Sequence, residues 1–549
     1  MHNHMRVTYR DPELEHFREL LGTRLTCGKS VVDLTRYNGI AMWWFVDVEF
    51  YSRLSSRDFV TSYRPASNIF KEIEGLLYAL ESILLRIVCG LCRTESVNRK
   101  GKRPRIVFTA QEVQWRALRD EHTNRMRKTD VFYDTILEKL RSQYSLVGID
   151  PMPRPVRLRA HVRSWQVLLD KLRNWDTPHK PFELFWSPCA SIAERRSRDH
   201  FRRAWKILSS DPKFQQIFPS EKMRATLEHY FRFTFSHAVR YVQMARQMVR
   251  DEKPDLIMMH NEYGFFERAL VVASRELEVP TLALQHGIIG PNHAGYMHAL
   301  PGTRPDANCP IPNSTAVFGP YYRDLLTKAS TYPEHSVVVT GQPRYDRIYH
   351  ARNLYSRADF SARYGIPSEH RIVLWTTQCW GLSMDENTRN LRVVLDTTQR
   401  IRNSTLVIKQ HPLEGKEHTE MINRYLSRYR TRAILTSKYA DTLELLFVCD
   451  LMITKSSTTA IEAVAFHKPV IILDLGSEAG SDLLDCVEEE VALCVQREQE
   501  LGSAVEALLK DDSQLARNRE SFVEKFLYKI DGRATERTTN LIQRMTGHG

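Results

Sequence analysis

Asp450-Leu451-Met452-Ile453-Thr454 runs directly into Lys455-Ser456-Ser457-Thr458-Thr459 and then into Ala460-Ile461-Glu462-Ala463-Val464-Ala465. The apolar run bounded by a polar turn predicts a buried strand, and the alanine-rich run after it predicts a helix. Strand, hydroxyl-rich turn and helix in direct succession open a βαβ unit, which needs a parallel neighbour. The same alternation surrounds this stretch. Strands are predicted at Ile372 to Trp375, Thr405 to Lys409, Ala433 to Leu435 and Pro469 to Leu473, with helical segments between them, as in a doubly wound sheet.

Upstream the pattern appears a second time. Apolar strands are predicted at Arg105 to Ala110, Pro254 to His260, Pro280 to Gln285, around Ala316 to Phe318 and at Ser336 to Thr340. A long, Arg-rich and mostly helical stretch separates the first two. Residues 345–370 are polar and hold no convincing strand. The reading is therefore α/β, with an α-rich N-terminal extension at 1–104, a first Rossmann-like domain at 105–348, a linker at 349–370 and a second at 371–549. The last helix, Arg533 to Met545, is expected to fold back on the first domain.

The chain has 549 residues, 42% of them hydrophobic, which excludes wholesale disorder, collagen and pure coiled coil. Nine scattered cysteines suit a reducing compartment, and Met1 to Asp11 is polar with no apolar segment behind it, so a cytoplasmic location is expected. With 78 Lys+Arg against 66 Asp+Glu, the net charge of +12 favours anionic partners: nucleotide phosphates, nucleic acid or anionic lipid. Neither zinc-finger spacing nor an aromatic RNA-binding strand is present, so nucleic acid is the least favoured of these. Gly75 to Cys92 is the most hydrophobic segment. At about 1.5 Å per residue its length only just reaches a bilayer core of roughly 30 Å, and Glu81 and Arg86 interrupt it. Followed by the basic run Arg99 to Arg105, it reads either as a packing helix with a solvated linker or as a membrane-surface element, peripheral on the inner face of the plasma membrane.

Two motifs fail. Gly22 to Ser30, GTRLTCGKS, has the wrong spacing for a phosphate loop and follows a helix, and the Cys89/Cys92 pair has no second pair to complete a zinc site. No Asp-x-Asp occurs, so no metal and no cofactor is expected; phosphate charge would be met by side chains and a helix start.

The surviving candidates all sit at predicted strand ends, the edge where open α/β sheets bind ligands. Ser456, Ser457 and Thr458 open the helix that carries Glu462, a carboxylate placed for ribose hydroxyls or for its own helix terminus. Lys409 and His411 end another strand of the same sheet and face an anion as a cation pair. In the first domain Glu262 ends one strand and His286 the next, close enough to converge over a cleft. His286 suits proton abstraction from a hydroxyl, with Glu262 either orienting it or serving as the base. Arg344 either contacts a phosphate or pairs with Asp346.

Taken in order, QHG at 285–287, TGQPRYD at 340–346, KQHP at 409–412, KSSTTAIEA at 455–463, KPVIILD at 468–474 and DGRATER at 531–537 resemble the GT-B superfamily. Within it the chain is similar to CDP-glycerol glycerophosphotransferases, capsule polysaccharide (Kdo-type) transferases and UDP-GlcNAc 2-epimerase-like proteins. The resemblance spans roughly 250–540. It implies a GT-B-like pair of domains facing a cleft, with the base on His286 and nucleotide phosphates on His411 and Ser456 to Thr458. Ile288-Ile289-Gly290-Pro291 departs from the Lys-rich continuation that often follows His-Gly in the glycerophosphotransferases.

The expected activity is metal-independent transfer of a sugar or polyol-phosphate unit from a nucleotide-activated donor to a surface polysaccharide or lipid-linked glycan acceptor. The donor is CMP-, CDP- or UDP-linked. The alternatives are a sugar-nucleotide 2-epimerase and an inactive GT-B scaffold.

Overall fold

The computed structural model describes residues 12–55, 68–91, 103–119, 126–152, 158–300, 309–378, 382–412, 414–429, 432–455, 457–476 and 484–547. Ser456 and residues 99–102 of the basic run lie outside them.

The first domain is built on a seven-stranded, all-parallel sheet. Its strands are β1 (Arg105–Thr109), β4 (Ser145–Asp150), β5 (His179–Pro181), β6 (Leu256–Met259), β7 (Thr281–Leu284), β8 (Ser314–Val317) and β9 (Val337–Val339), in the order β9-β8-β7-β6-β1-β4-β5. Between β1 and β4 an antiparallel hairpin, β2 (Trp115–Arg119) with β3 (Met126–Asp130), stands off the sheet. The second sheet has six parallel strands: β10 (Arg371–Thr376), β11 (Ser404–Lys409), β12 (Ala433–Leu435), β13 (Leu451–Thr454), β14 (Val470–Leu473) and β15 (Leu493–Val495), ordered β12-β11-β10-β13-β14-β15. The central strands are apolar on both faces because helices cover both sides. Two doubly wound sheets, each with a carboxyl-edge crevice, make the GT-B-like architecture the motifs imply.

Three features depart from the sequence reading. The Arg-rich stretch after β1 carries the hairpin and two further sheet strands besides its helices. The linker region 349–370 is helical, with Ala351–Leu354 and Arg357–Tyr364 as separate short helices. The N-terminal extension is not an appendage. Helix α1 (Pro12–Gly22) and the turn Met42–Phe45 bury Trp43 and Trp44 in the core that also holds β6.

Within that core Arg18 and Asp47 form a buried ion pair, with Arg18 Nη2 donating to Asp47 Oδ2 at 2.8 Å. The same guanidinium donates to the carbonyls of Ala294 and Met297, each at 3.0 Å, and Trp43 Nε1 donates to Asp47 Oδ1 at 2.8 Å. Every polar atom of this cluster is engaged, the condition under which a buried pair is tolerated.

Helix α2 (Asn68–Leu91) turns Tyr78, Glu81, Ser82 and Leu85 inward, with Glu81 Oε1 3.0 Å from His161 Nε2. Its other face leaves Leu76, Leu77, Leu80, Ile83, Leu84 and Ile87 between 42% and 62% exposed. Among the described residues no helix is long and apolar enough to cross a membrane.

At the chain's end α8 (Ala534–Met545) leaves the second domain and packs on the first. Leu541 and Ile542 enter the core beside β1, and Tyr144 and Thr546 hydroxyls meet at 2.9 Å.

Replacing Asp47 by Ala strands a buried guanidinium and is expected to cost about 3–5 kcal/mol in chemical denaturation. A loss below about 1 kcal/mol, the range of exposed pairs, would contradict this role.

Candidate active site

The carboxyl edges of the two sheets face each other across a cavity of about 220 Å³. The first domain contributes His286, just past β7, and Arg344, past β9. The second contributes Lys409 at the end of β11, His411 two residues on, and Ser457, Thr458 and Glu462 around the start of α7 (Thr459–Ala465). The structure thus brings together every described candidate except Glu262. Thr458 has no side-chain capping bond to the helix, and the Ser457 hydroxyl accepts from Thr459 Oγ1 at 2.8 Å. Lys455 of the same motif turns away, pairing with Asp474 at 2.9 Å.

Charge is distributed unevenly around this cavity. Arg344 Nη1 lies 3.1 Å from Glu462 Oε1, an ion pair between the two domains. Arg344 therefore pairs with Glu462 and not with Asp346, whose two oxygens accept the amides of Ala534 and Thr535 at 2.9 and 2.8 Å. Glu462 Oε2 is buried and has no hydrogen-bond partner among the described residues. Burial raises the Glu462 carboxyl above its usual range, opposed by Arg344. Lys409 is 7% exposed, and among the described residues its ammonium donates only to carbonyls, those of Gln410 at 3.3 Å and Lys438 at 3.4 Å. Burial, followed by the nearby Arg116 and Arg344, pushes Lys409 down to about 8.

His411 corrects the cation-pair expectation. Burial, then Lys409, then Arg116 lower it to about 4, so at neutral pH it is an uncharged ring. Its backbone amide is fixed by Thr377 Oγ1 at 3.1 Å. A neutral imidazole still offers one N–H to a phosphate oxygen, and an anion in the cavity would favour its protonation.

In the first domain, burial lowers His286 to about 4 against a weaker opposing effect of the His260 backbone. Its Nδ1 is buried, while Nε2 lies 3.3 Å from the Tyr263 hydroxyl. The expected pairing with Glu262 is not formed. Glu262 is 4% exposed, takes the Tyr332 hydroxyl on Oε1, and accepts from Thr315 Oγ1 on Oε2 at 3.4 Å. Burial raises its pKa to about 7. Both oxygens are turned into the protein, so Tyr263, and not Glu262, is the side chain at the His286 ring. Tyr263 is held in place by a close fit: a Cβ on Gly295 would lie 2.5 Å from its ring.

Sequence reasoning missed Arg116. It sits on β2, lines the cavity from the first-domain side, and is one of the charges that depress Lys409 and His411. The only sequence signal was alternation: Trp115 and Arg116 are neighbours on a strand and therefore face opposite ways. Trp115 points into its own domain, its ring tilted against Trp175 with centroids 4.9 Å apart and its Nε1 donating to Asp170 at 2.8 Å.

Residues 195–544 match the family model described as CDP-Glycerol:Poly(glycerophosphate) glycerophosphotransferase. The teichoic acid poly(glycerol phosphate) polymerase of Bacillus subtilis (strain 168) is 23% identical over 238 residues, a match spanning 40% of this chain and 30% of that protein. Among solved structures, the UDP-GlcNAc 2-epimerase of Neisseria meningitidis bound to UDP-GlcNAc is 13% identical, with 80% of this chain and 99% of that one aligned at a TM-score of 0.48. The wall teichoic acid polymerase TagF is 12% identical, covering 88% and 99%, at a TM-score of 0.45.

Lys409 gives the cavity a measurable pH dependence. Its charged form, present below about pH 8, attracts an anion and is lost as pH rises. The second ionisation of a phosphate ester, near pH 6, is complete by then. Affinity for CDP, measured calorimetrically, is therefore expected to fall from about pH 8 upward, and Lys409→Arg, which stays charged, should flatten that fall. An unchanged slope in the variant would remove Lys409 from the anion site.

Proposed function

The chain belongs to the CDP-glycerol:poly(glycerophosphate) glycerophosphotransferase family, and from that membership we propose that it moves a polyol-phosphate unit from a nucleoside-diphosphate-activated donor to a hydroxyl of a growing surface polymer. It is a transferase of cell-envelope polymer synthesis by family. The donor and the acceptor are the parts that rest on this reading.

The observation that carries it is the charge of the cavity. Among the described residues its ionisable lining comprises Arg116, Arg344 and Lys409 against Glu462, with His286 and His411 neutral, so three cations and one carboxylate leave these residues a net charge of +2. A diphosphate diester carries two negative charges on its phosphates and balances it, whereas a nucleoside monophosphate linkage places only one there. That favours a CDP- or UDP-linked donor over a CMP-linked one, and the family description favours cytidine.

In the proposed step the acceptor oxygen attacks the phosphorus that bears the polyol. A new P–O bond forms as the bond from that phosphorus to the bridging oxygen breaks, and the nucleoside monophosphate leaves with the bridging oxygen. The acceptor proton passes to His286 Nε2, which burial keeps unprotonated at neutral pH, and Tyr263 holds the ring. Lys409 offsets the charge that grows on the leaving group. The direct test is acceptor-dependent CMP release from CDP-glycerol. Binding of the donor without release under any acceptor would sink the transfer reading. His286→Ala is expected to lower kcat by about 10²- to 10⁴-fold while CDP affinity stays nearly constant; parallel loss of both would remove it as the base.

The acceptor is a surface glycan or a lipid-linked chain, reached from the cytoplasmic side of an anionic membrane on which α2 lies. What supports this is the exposed apolar row from Leu76 to Ile87 beside the exposed Arg86, followed in sequence by the basic run Arg99 to Arg105, in a chain of net charge +12. Sedimentation with phosphatidylglycerol vesicles but not with phosphatidylcholine vesicles is expected, and Leu80→Glu with Leu84→Glu should abolish it. Vesicle binding unaffected by the double variant, or a dimer that this variant splits, would overturn the assignment.

A further inference from the structure

The first domain itself reaches into the anion site through the β2–β3 hairpin. This hairpin, residues 115–119 and 126–130, precedes the family-matched residues 195–544 and has no counterpart among the motifs of the second sheet. Its root is firmly anchored. Trp115 is hydrogen-bonded to Asp170 and packs at a tilt against Trp175, while Asp130 Oδ1 accepts the amides of Phe132 and Tyr133 at 2.9 and 3.1 Å. Thr129, the register partner of Arg116, is buried and donates to Asp134 Oδ1 at 2.7 Å. Pleating then leaves Arg116 on the side away from Trp115, and it lines the same cavity as Lys409, His411 and Glu462.

The geometry points to Arg116 as a donor-phosphate contact made from the first domain, which binds the distal phosphate while Lys409 and His411 hold the phosphate nearer the nucleoside. The donor diphosphate is then shared between the domains and draws the cleft together. This rests on the reading of the cavity as a nucleoside-diphosphate site and goes beyond it, because it assigns the transferred phosphate to a side chain outside the matched region.

The placement follows from the direction of transfer. His286 and Arg116 both belong to the first domain and line one cavity, so the phosphate that meets the acceptor is the one on their side. The electrostatics agree: burial and then Arg344 depress the Arg116 guanidinium, and Glu462 and Asp130 oppose this, as for a cation gathered near other cations. A bidentate guanidinium is also the group best matched to a phosphate's paired oxygens.

The test is calorimetry on the full chain with CDP, CMP and inorganic pyrophosphate, comparing wild type with Arg116→Gln and Arg116→Lys. The expected loss in Arg116→Gln is about 10- to 100-fold for CDP and pyrophosphate, with a much smaller change for CMP, which lacks the distal phosphate. Arg116→Lys should recover part of the loss. Equal weakening of CMP and CDP, or no weakening of either, would overturn the assignment while leaving the nucleotide site standing. If the wild-type protein binds none of the three, the nucleotide reading and this one fall together.

Discussion

Asp346 fixes the relation between the two halves of the molecule. Its carboxylate caps α8 through the amides of Ala534 and Thr535, so the last helix of the chain begins on the first domain although its sequence follows the second. The turn before it is held from the same helix, since Arg537 Nε donates to the Thr340 carbonyl at 2.8 Å. Gly341 is needed there, with φ of +76° and the position a Cβ would take lying 3.2 Å from both Ala534 Cβ and Arg537 Nη2. Arg344 lies two residues before the cap, and its guanidinium meets Glu462 of the other domain. One turn thus sets the domain crossover and places the charge that spans the cleft.

That charge is expensive unless a ligand shares it. Arg116, Arg344 and Lys409 surround a partly buried space with a single carboxylate between them among the described residues, and Lys409 responds by giving up its proton more readily than a free lysine. A protein stabilised for its own sake would relieve such crowding with another acid. Here the second oxygen of Glu462 is left unmatched, which leaves an acceptor for a ligand hydroxyl beside donors for its phosphates. The perturbed groups are gathered at one cleft, where the proposed diphosphate donor would meet them.

How much of this was legible depended on local pattern. The strands of the second sheet were readable because apolar runs alternate with amphipathic helices, except for β15, whose Leu493-Cys494-Val495 is too short and too exposed at the sheet edge to stand out. In the first sheet β4 contains Gly148, which reads as a break but is required because a Cβ would come within 3.1 Å of His179. β5 holds Pro181, tolerable only because this strand is an edge. The site residues at strand ends were legible from the rule that ligands bind there. The pairing of Glu262 with Tyr332 was not, since seventy residues separate them and nothing local selects a buried tyrosine over the cleft. Arg116 was hidden in an Arg-rich region, where only the pleat distinguishes it from its neighbours.

The N-terminal residues were the least legible and bear directly on His286, the proposed base. Residues 286–297 form one irregular loop from the His286 ring to Met297, and such a loop holds its shape only if its backbone carbonyls find donors. Two of them, on Ala294 and Met297, are taken by Arg18, whose charge is balanced by Asp47. The same loop supplies Gly295, against which Tyr263 packs to reach His286. Arg18 therefore supports the proposed base through three successive contacts: guanidinium to loop carbonyls, loop glycine to tyrosine ring, tyrosine hydroxyl to imidazole. A segment outside the matched family region is in this way part of what sets the position of His286, and it does so by ordinary backbone satisfaction, which leaves no motif in the sequence.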